Sequence, residues 1–488
     1  MPQAWEIKID KISQGGFAPR YWDSEYPSFG NANMCARMKN LDLRSCHFLT
    51  AGKKTTALTN GNESGVVDCY IRSILNTYYA TFSFAGGGNK LFKLYENEVI
   101  SGGDWPHTIS HPTYGDEKVR KLVLYKDKLF YFYSHMGGGT IGRYDIFNDE
   151  FDDDWGDDKP SGAGFLESYW RYPAVIVGSY LYFGHKTKVG YLDLENDVLN
   201  LSALELGGGY EIFDLEWNYG RILIGANLIP YVGSRGKGKI FIWDGYSLGW
   251  EDEIFVPGKF YSFATLGKIT FVFYEDDQEI THLGMLTGNR IKDVAVFKLN
   301  NHPPYYYQVC IQEPFIVFAK KDTQSNEGKI YFWGNADRRL DPILFQFGET
   351  TYPTIEGIGN PFGDLIISSG NDTNFELGKL NTLTTDAYWK SINYDVQGRN
   401  GSQIDELIIF FEKLTTSGQR VDIKIDIDEG KESWEGSVSY DQDGDVCYKK
   451  FPVGRKAYTF RVELSFTNNS ASVFPKIKGL RVLGHYLD

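Results

Sequence analysis

Apolar positions in this chain fall in short runs rich in Phe, Tyr, Ile and Val, broken by Gly, Asn and Asp. Such runs, bounded by turn residues, predict β-strands, and no alanine- or leucine-rich window of helical length interrupts them. One phrase recurs: a strand ending in aromatics, a glycine-rich turn, a second strand, then an acidic or amide-bearing turn. It is clearest where Arg72-Ser-Ile-Leu-Asn-Thr-Tyr-Tyr-Ala-Thr-Phe-Ser-Phe-Ala-Gly-Gly-Gly88 is laid over Arg120-Lys-Leu-Val-Leu-Tyr-Lys-Asp-Lys-Leu-Phe-Tyr-Phe-Tyr-Ser-His-Met-Gly-Gly-Gly139. The second hairpin strand returns near Leu94, Ile146, Leu194, Trp243, Leu286, Trp333 and Leu377, at separations of 52, 48, 49, 43, 47 and 44 residues. Repeats of that length match four-stranded propeller blades, because a lone small sheet cannot bury both faces. Asn, Asp and Gly follow these strands because hairpin turns demand positive φ.

The pattern predicts an all-β chain in three parts: an irregular N-terminal arm (1–66), a six- or seven-bladed β-propeller (67–384) and a C-terminal β-sandwich (385–488). The last repeat is short, so the arm is a candidate for the closing strand. In the third part, Arg420-Val-Asp-Ile-Lys-Ile-Asp-Ile-Asp428 alternates charged and aliphatic residues, the mark of a half-exposed antiparallel strand. Of the tryptophans, Trp170, Trp217, Trp243 and Trp333 are expected between blades, where bulky faces are needed.

Composition sharpens this. Aromatics make up 16% of the 488 residues, glycines number 53 and methionines 5, which suits strands and tight turns. A net charge of −14 with no Lys/Arg block argues against nucleic acid as the main ligand, since DNA binding needs clustered cations. The five scattered cysteines form no C-x-x-C pair and predict free thiols in a reducing compartment. Neither a signal peptide nor a membrane span is predicted.

Candidate chemistry is sparse. Asp152, Asp153, Asp154, Asp157 and Asp158 surround Trp155; they read first as an exposed inter-blade loop able to meet a basic partner, and second as a metal site. His107 and His111 form the one close histidine pair, but Pro112 breaks helical ligand spacing. Asp441-Gln-Asp-Gly-Asp445 reads as a polar hairpin turn before a calcium loop, because its glycine sits one place early. No H-E-x-x-H, G-x-S-x-G or sialidase-type S-x-D-x-G-x-T-W turn occurs, so no enzyme and no cofactor is expected. Exposed Trp and Tyr keep a lectin-like, glycan-binding propeller as the alternative.

Three passages carry a family resemblance: Gly15-Gly-Phe17 through Asn31-Ala-Asn33, Lys39-Asn-Leu-Asp-Leu43 and Phe48-Leu-Thr-Ala-Gly52; blade phrases such as Lys90-Leu-Phe-Lys-Leu94; and Tyr388-Trp-Lys390, Ile404-Asp-Glu-Leu-Ile-Ile409 and Phe474-Pro475-Lys-Ile-Lys-Gly-Leu-Arg-Val482. In this order the chain resembles tailed-bacteriophage virion proteins, the β-propeller components of short-tailed phage nozzles or tail tips. It is shorter than nozzle proteins and lacks an inserted platform or fibre-dock domain. The resemblance implies a non-enzymatic part of a homo-oligomeric ring in the virion tail, assembled in the host cytoplasm. Its partners would be portal, adaptor or other tail proteins, with DNA only as transiting cargo. Trp22, the arm, and Asp152, Asp153, Asp154 and Trp155 are the candidate assembly contacts.

Overall fold

A computed structural model of the chain describes residues 3–10, 35–45, 48–64, 79–84, 88–95, 98–115, 117–157, 166, 171–229, 238–297, 302–322, 327–337, 341–360, 364–371, 374–383, 387–396, 400–468 and 473–487. The chain divides into two compact units. One joins Thr56–Gly328 to Thr350–Leu380; the other joins Met1–Thr55, Lys329–Glu349 and Asn381–Asp488.

The first unit is a β-propeller built from antiparallel meanders in strict chain order. The first meander is Lys118–Tyr125, Lys128–His135, Gly138–Asp145 and Glu150–Asp152. The second is Ala174–Val177, Tyr180–His185, Lys188–Asp193 and Val198–Glu205. The third is Tyr210–Asn218, Arg221–Leu228, Gly238–Trp243 and Asp252–Phe255. The fourth is Lys259–Leu266, Ile269–Glu275, Thr281–Thr287 and Arg290–Phe297. Tyr79–Phe84, Gly88–Tyr95 and His107–Ile109 form a strand group before them. Val309–Gln312 with Phe315–Asp322, and Thr354–Gly359 with Ile366–Gly370 and Asn374–Leu383, follow. Lys53–Ser64 lies beside Asn374–Leu383, so the N-terminal segment does supply a closing strand. The described residues thus give seven strand groups, and of the residues that mark the sequence period Ile146, Leu194, Trp243, Leu286 and Leu377 sit in or directly after a third strand.

Period-two alternation explains how each sheet holds both neighbours. In Lys128–His135, Phe130 and Phe132 pack toward the second meander with Leu181 and Phe183. The intervening Leu129, Tyr131 and Tyr133 pack the other way, with Leu91, Trp105 and Ile109. The strand therefore reads as an unbroken aromatic run, since both faces are covered. Arg221–Leu228 repeats the device: Ile222 and Ile224 join Tyr182 and Trp243, while Leu223 joins Phe260 and Val272. Each such side chain, taken from water, contributes roughly 1.5–3 kcal/mol. Trp243 stands edge-on to Tyr182 at 5.7 Å, the inter-blade role expected of it. Close packing also fixes a glycine: Gly142 pairs across the strands with Tyr131, whose ring would lie 1.9 Å from any added Cβ.

The second unit contains two antiparallel sheets. In one the order is Ala4–Ile9, Ile477–Tyr486, Ser402–Phe411, Tyr448–Ala457. In the other it is Cys35–Lys39, Ala387–Ser391, Thr459–Asn468, Gln419–Ile427, Glu432–Ser439. Gln419–Ile427 buries Val421, Ile423, Ile425 and Ile427 and turns Lys424 outward, as its alternation predicts. The segment read as an irregular arm thus places an edge strand in each sheet, because Trp5, Ile7 and Ile9 alternate with charged residues. Trp5 stacks on Phe460 at 6.0 Å, bringing the two sheets together.

Candidate functional site

The acidic loop after the first meander turns inward. Trp155 is 2% exposed, edge-on to Phe130 at 5.5 Å and beneath the Arg143 guanidinium at 5.2 Å. Asp153 accepts from the Tyr131 hydroxyl at 2.5 Å and the Ser110 amide at 2.8 Å, and lies 2.9 Å from His107 Nε2. Its carbonyl accepts from the Tyr133 hydroxyl at 2.6 Å. Asp157 meets His111 Nε2 at 2.8 Å. The histidine pair and the acidic loop, separate features in the sequence, are therefore two His–Asp clasps. They tie the loop to residues 107–111. His135, tilted on His111 at 4.5 Å, is lowered to about 4 by burial first and by His111 second.

This corrects the reading of an exposed loop: the Trp155 ring is core, and Asp152, Asp153 and Asp154 are half-buried. Among the described residues no group of three His, Cys, Asp or Glu side chains could hold a metal ion. Trp22 and Asp158 lie outside the described residues. At the other acidic turn, Asp443 accepts from Lys449 at 2.9 Å and the Ser439 amide at 3.1 Å, while Asp445 pairs with Lys413 at 2.8 Å. Those carboxylates serve separate partners, but the segment is not the hairpin turn expected: Tyr440–Asp443 is a single helical turn joining Glu432–Ser439 to Tyr448–Ala457, strands of different sheets.

Two features escaped the sequence reading. The first is a cavity of about 430 Å³ lined by the first strands of six successive groups, from Lys121 and Ala174 through Asp214, Phe263 and Val309 to Ile358. Asp214 and Glu216, two apart on one strand, face into it with Lys121, whose amine lies 4.9 Å from the Tyr306 ring. Burial pushes the Asp214 carboxyl up to about 7, against the Phe263 amide, which donates to it at 2.8 Å, and the field of Lys121. Burial likewise raises Glu216 and lowers Lys121. A buried acid poised near neutrality beside an amine can exchange protons and orient a small polar ligand. The signal in the sequence was charge inside strands that also carry core residues, Lys121 beside Leu122 and Asp214 and Glu216 around Leu215.

The second is a turn face. In a strict meander, the turns after first strands and after third strands lie at the same end of every sheet. There the propeller exposes Phe147 (85%), Tyr219 (76%), Tyr246 (77%) and Leu248 (100%), along with Trp250 and Ile269. The turns themselves are rigid. The carboxylate of Asp145 accepts from the Phe147 and Asn148 amides, Asp193 from Glu195 and Asn196, and Asp244 from Tyr246 and Ser247. Backbone bonds thus close on Asp while the apolar side chain is left outside. Tyr219 even takes φ of 46°, ahead of Gly220 at 80°, in a turn that ordinarily selects Asn or Gly. The turns are braced blade to blade: the Tyr182 hydroxyl donates to the Gly245 carbonyl at 3.3 Å, and Arg143 meets Asp197 at 3.5 Å.

No protein-family model and no curated protein matches the chain. Solved structures similar to it include a chain of the mitotic checkpoint complex, 11% identical, with a TM-score of 0.46 over 67% of this chain and 93% of that one. An exo-β-1,3-galactanase from Phanerochaete chrysosporium, solved with β-1,3-galactotriose, is 9% identical, with a TM-score of 0.29 over 64% and 95%.

Proposed function

We propose that this chain is a non-enzymatic structural component of a tailed-bacteriophage virion, a subunit of a nozzle or tip ring, whose propeller turn face docks on a neighbouring copy. The observation that carries the contact is the run of exposed Phe147, Tyr219, Tyr246 and Leu248 on ordered turns. Rigid, outward apolar groups lose little conformational freedom on binding, and clustered exposure of this kind marks protein–protein sites. The virion assignment rests on the sequence resemblance. A wheel of closed sheets offers few free edges at high local concentration, and head-to-tail contacts close into rings. The charge of −14 keeps transiting DNA from adhering. The two sheets of the second unit are read as the sandwich expected from the sequence, a further surface for tail partners.

Mass measurement of the purified full chain tests this. A discrete multi-subunit species that falls to monomer in the double substitution Tyr246→Asp and Leu248→Asp, with the circular dichroism unchanged, is expected. A wild-type monomer at all concentrations, with no tail protein retained, would sink it. Tyr219, Tyr246 and Trp250 also favour a second reading, stacking on sugar rings of a host surface. Saturable glycan binding lost in Tyr246→Ala would establish that role instead.

A further inference from the structure

The cavity inside the propeller holds charges of both signs that do not meet. Lys121 enters it from Lys118–Tyr125, in the first meander, and Asp214 and Glu216 from Tyr210–Asn218, in the third. The second meander comes between them in the ring and contributes Ala174 and Val175 to the wall. Among the described residues Lys121 makes no ion pair; its amine lies 4.9 Å from the centroid of the Tyr306 ring. That ring is pinned by its own hydroxyl, which donates to the Arg120 carbonyl at 3.0 Å. The carboxylates are held by neutral donors. Asp214 accepts from the Leu215 amide at 2.9 Å and the Phe263 amide at 2.8 Å. Glu216 accepts from the Trp217 amide at 3.0 Å and from the Thr265 hydroxyl.

We propose that this cavity binds a small zwitterion of the α-amino acid class, its ammonium held by Asp214 and Glu216 and its carboxylate by Lys121. This goes beyond the assembly reading and does not depend on it. Opposite charges buried in contact would satisfy each other. Here burial is the first influence on all three groups, raising both carboxyls and lowering the amine, and their attraction across the space is a lesser one. A lone cation would serve the carboxylates and leave the amine as it is. A lone anion would serve the amine and be repelled from the other wall. A zwitterion brings a partner to each side and adds no net charge. Because amides, a hydroxyl and a pinned ring already orient the charged groups, little side-chain freedom is lost on binding. Leu122, Phe263 and Ile358 make the rest of the wall apolar, which suits an aliphatic side chain. A volume of about 430 Å³ is ample for such a molecule.

Titration calorimetry on the full chain is the test, with leucine, isopentylamine and 4-methylpentanoate as probes. The three share a side chain; the second keeps the ammonium alone and the third the carboxylate alone. Saturable leucine binding is expected, about tenfold or more tighter than that of either half-molecule. Lys121→Met should bring leucine down to the affinity of isopentylamine. Glu216→Gln should weaken leucine and isopentylamine alike, by about tenfold. Glu216→Gln keeps the shape of a half-buried side chain, so it preserves the test if loss of Lys121 disturbs the blade. The proposal is overturned if leucine does not saturate, if either half-molecule binds as tightly as leucine, or if both variants bind leucine as the wild type does.

Discussion

The loop 152–157 and the turn 244–250 are built from opposite materials and placed opposite to their composition. The first is almost all Asp, yet its Trp155 is core and Asp153 is held by Tyr131, Ser110 and His107. The second carries Tyr246 and Leu248, yet both stand in solvent. The difference lies in what the backbone needs. Asp153 satisfies hydroxyls and an amide that the blade would otherwise bury unpaired. Asp244 satisfies its own turn, leaving the following side chains no inward route. Polarity along the chain predicts hydrogen-bonding capacity better than it predicts exposure.

Replacing Trp155 with Ala is expected to break the comparison most severely. A cavity between the first and second meanders should cost about 3–5 kcal/mol in urea unfolding, against no more than about 0.5 kcal/mol for Leu248→Ala. Next, Asp153→Ala strands the Tyr131 hydroxyl and the Ser110 amide and should cost about 2–3 kcal/mol. Asp153→Asn should recover part of that loss, whereas an exposed-loop carboxylate would show neither effect.

The axial cavity supplies a pH test. Asp214 carries a raised folded pKa, so the unfolded chain releases its proton first as pH climbs. Between about 4 and about 7 the native state binds more protons, and this group's contribution to stability falls as pH rises through that window. The difference in unfolding free energy between wild type and Asp214→Asn should therefore change from pH 4 to pH 7 and stay level above it. A difference flat throughout would place Asp214 in water. The smallest effect expected is at Tyr219: Tyr219→Asn relieves a side chain at positive φ and should raise stability by a few tenths to about 1 kcal/mol. Its cost should appear in assembly.

Much of the wheel was legible because the repeat and the turn residues report the same thing: third strands end where Asp, Asn and Gly cluster. The period anchors Leu94 through Leu377 needed no tertiary information. The site was not legible. Lys121, Asp214 and Glu216 come from two distant strands that only ring closure brings together. The clasps between His107 and Asp153, and between His111 and Asp157, join residues 46 apart whose pairing no spacing rule contains. The arm was read as irregular because Ala4–Ile9 and Cys35–Lys39 take their partners from the far end of the chain.

Hydroxyl-radical footprinting of the assembled particle against the dissociated chain would test the central contrast most directly. The account predicts strong protection of Phe147, Tyr219, Tyr246 and Leu248 on assembly, with Trp155 unreactive in both states. Reactive Trp155 in the free chain, or turn-face residues equally labelled in both, would contradict it.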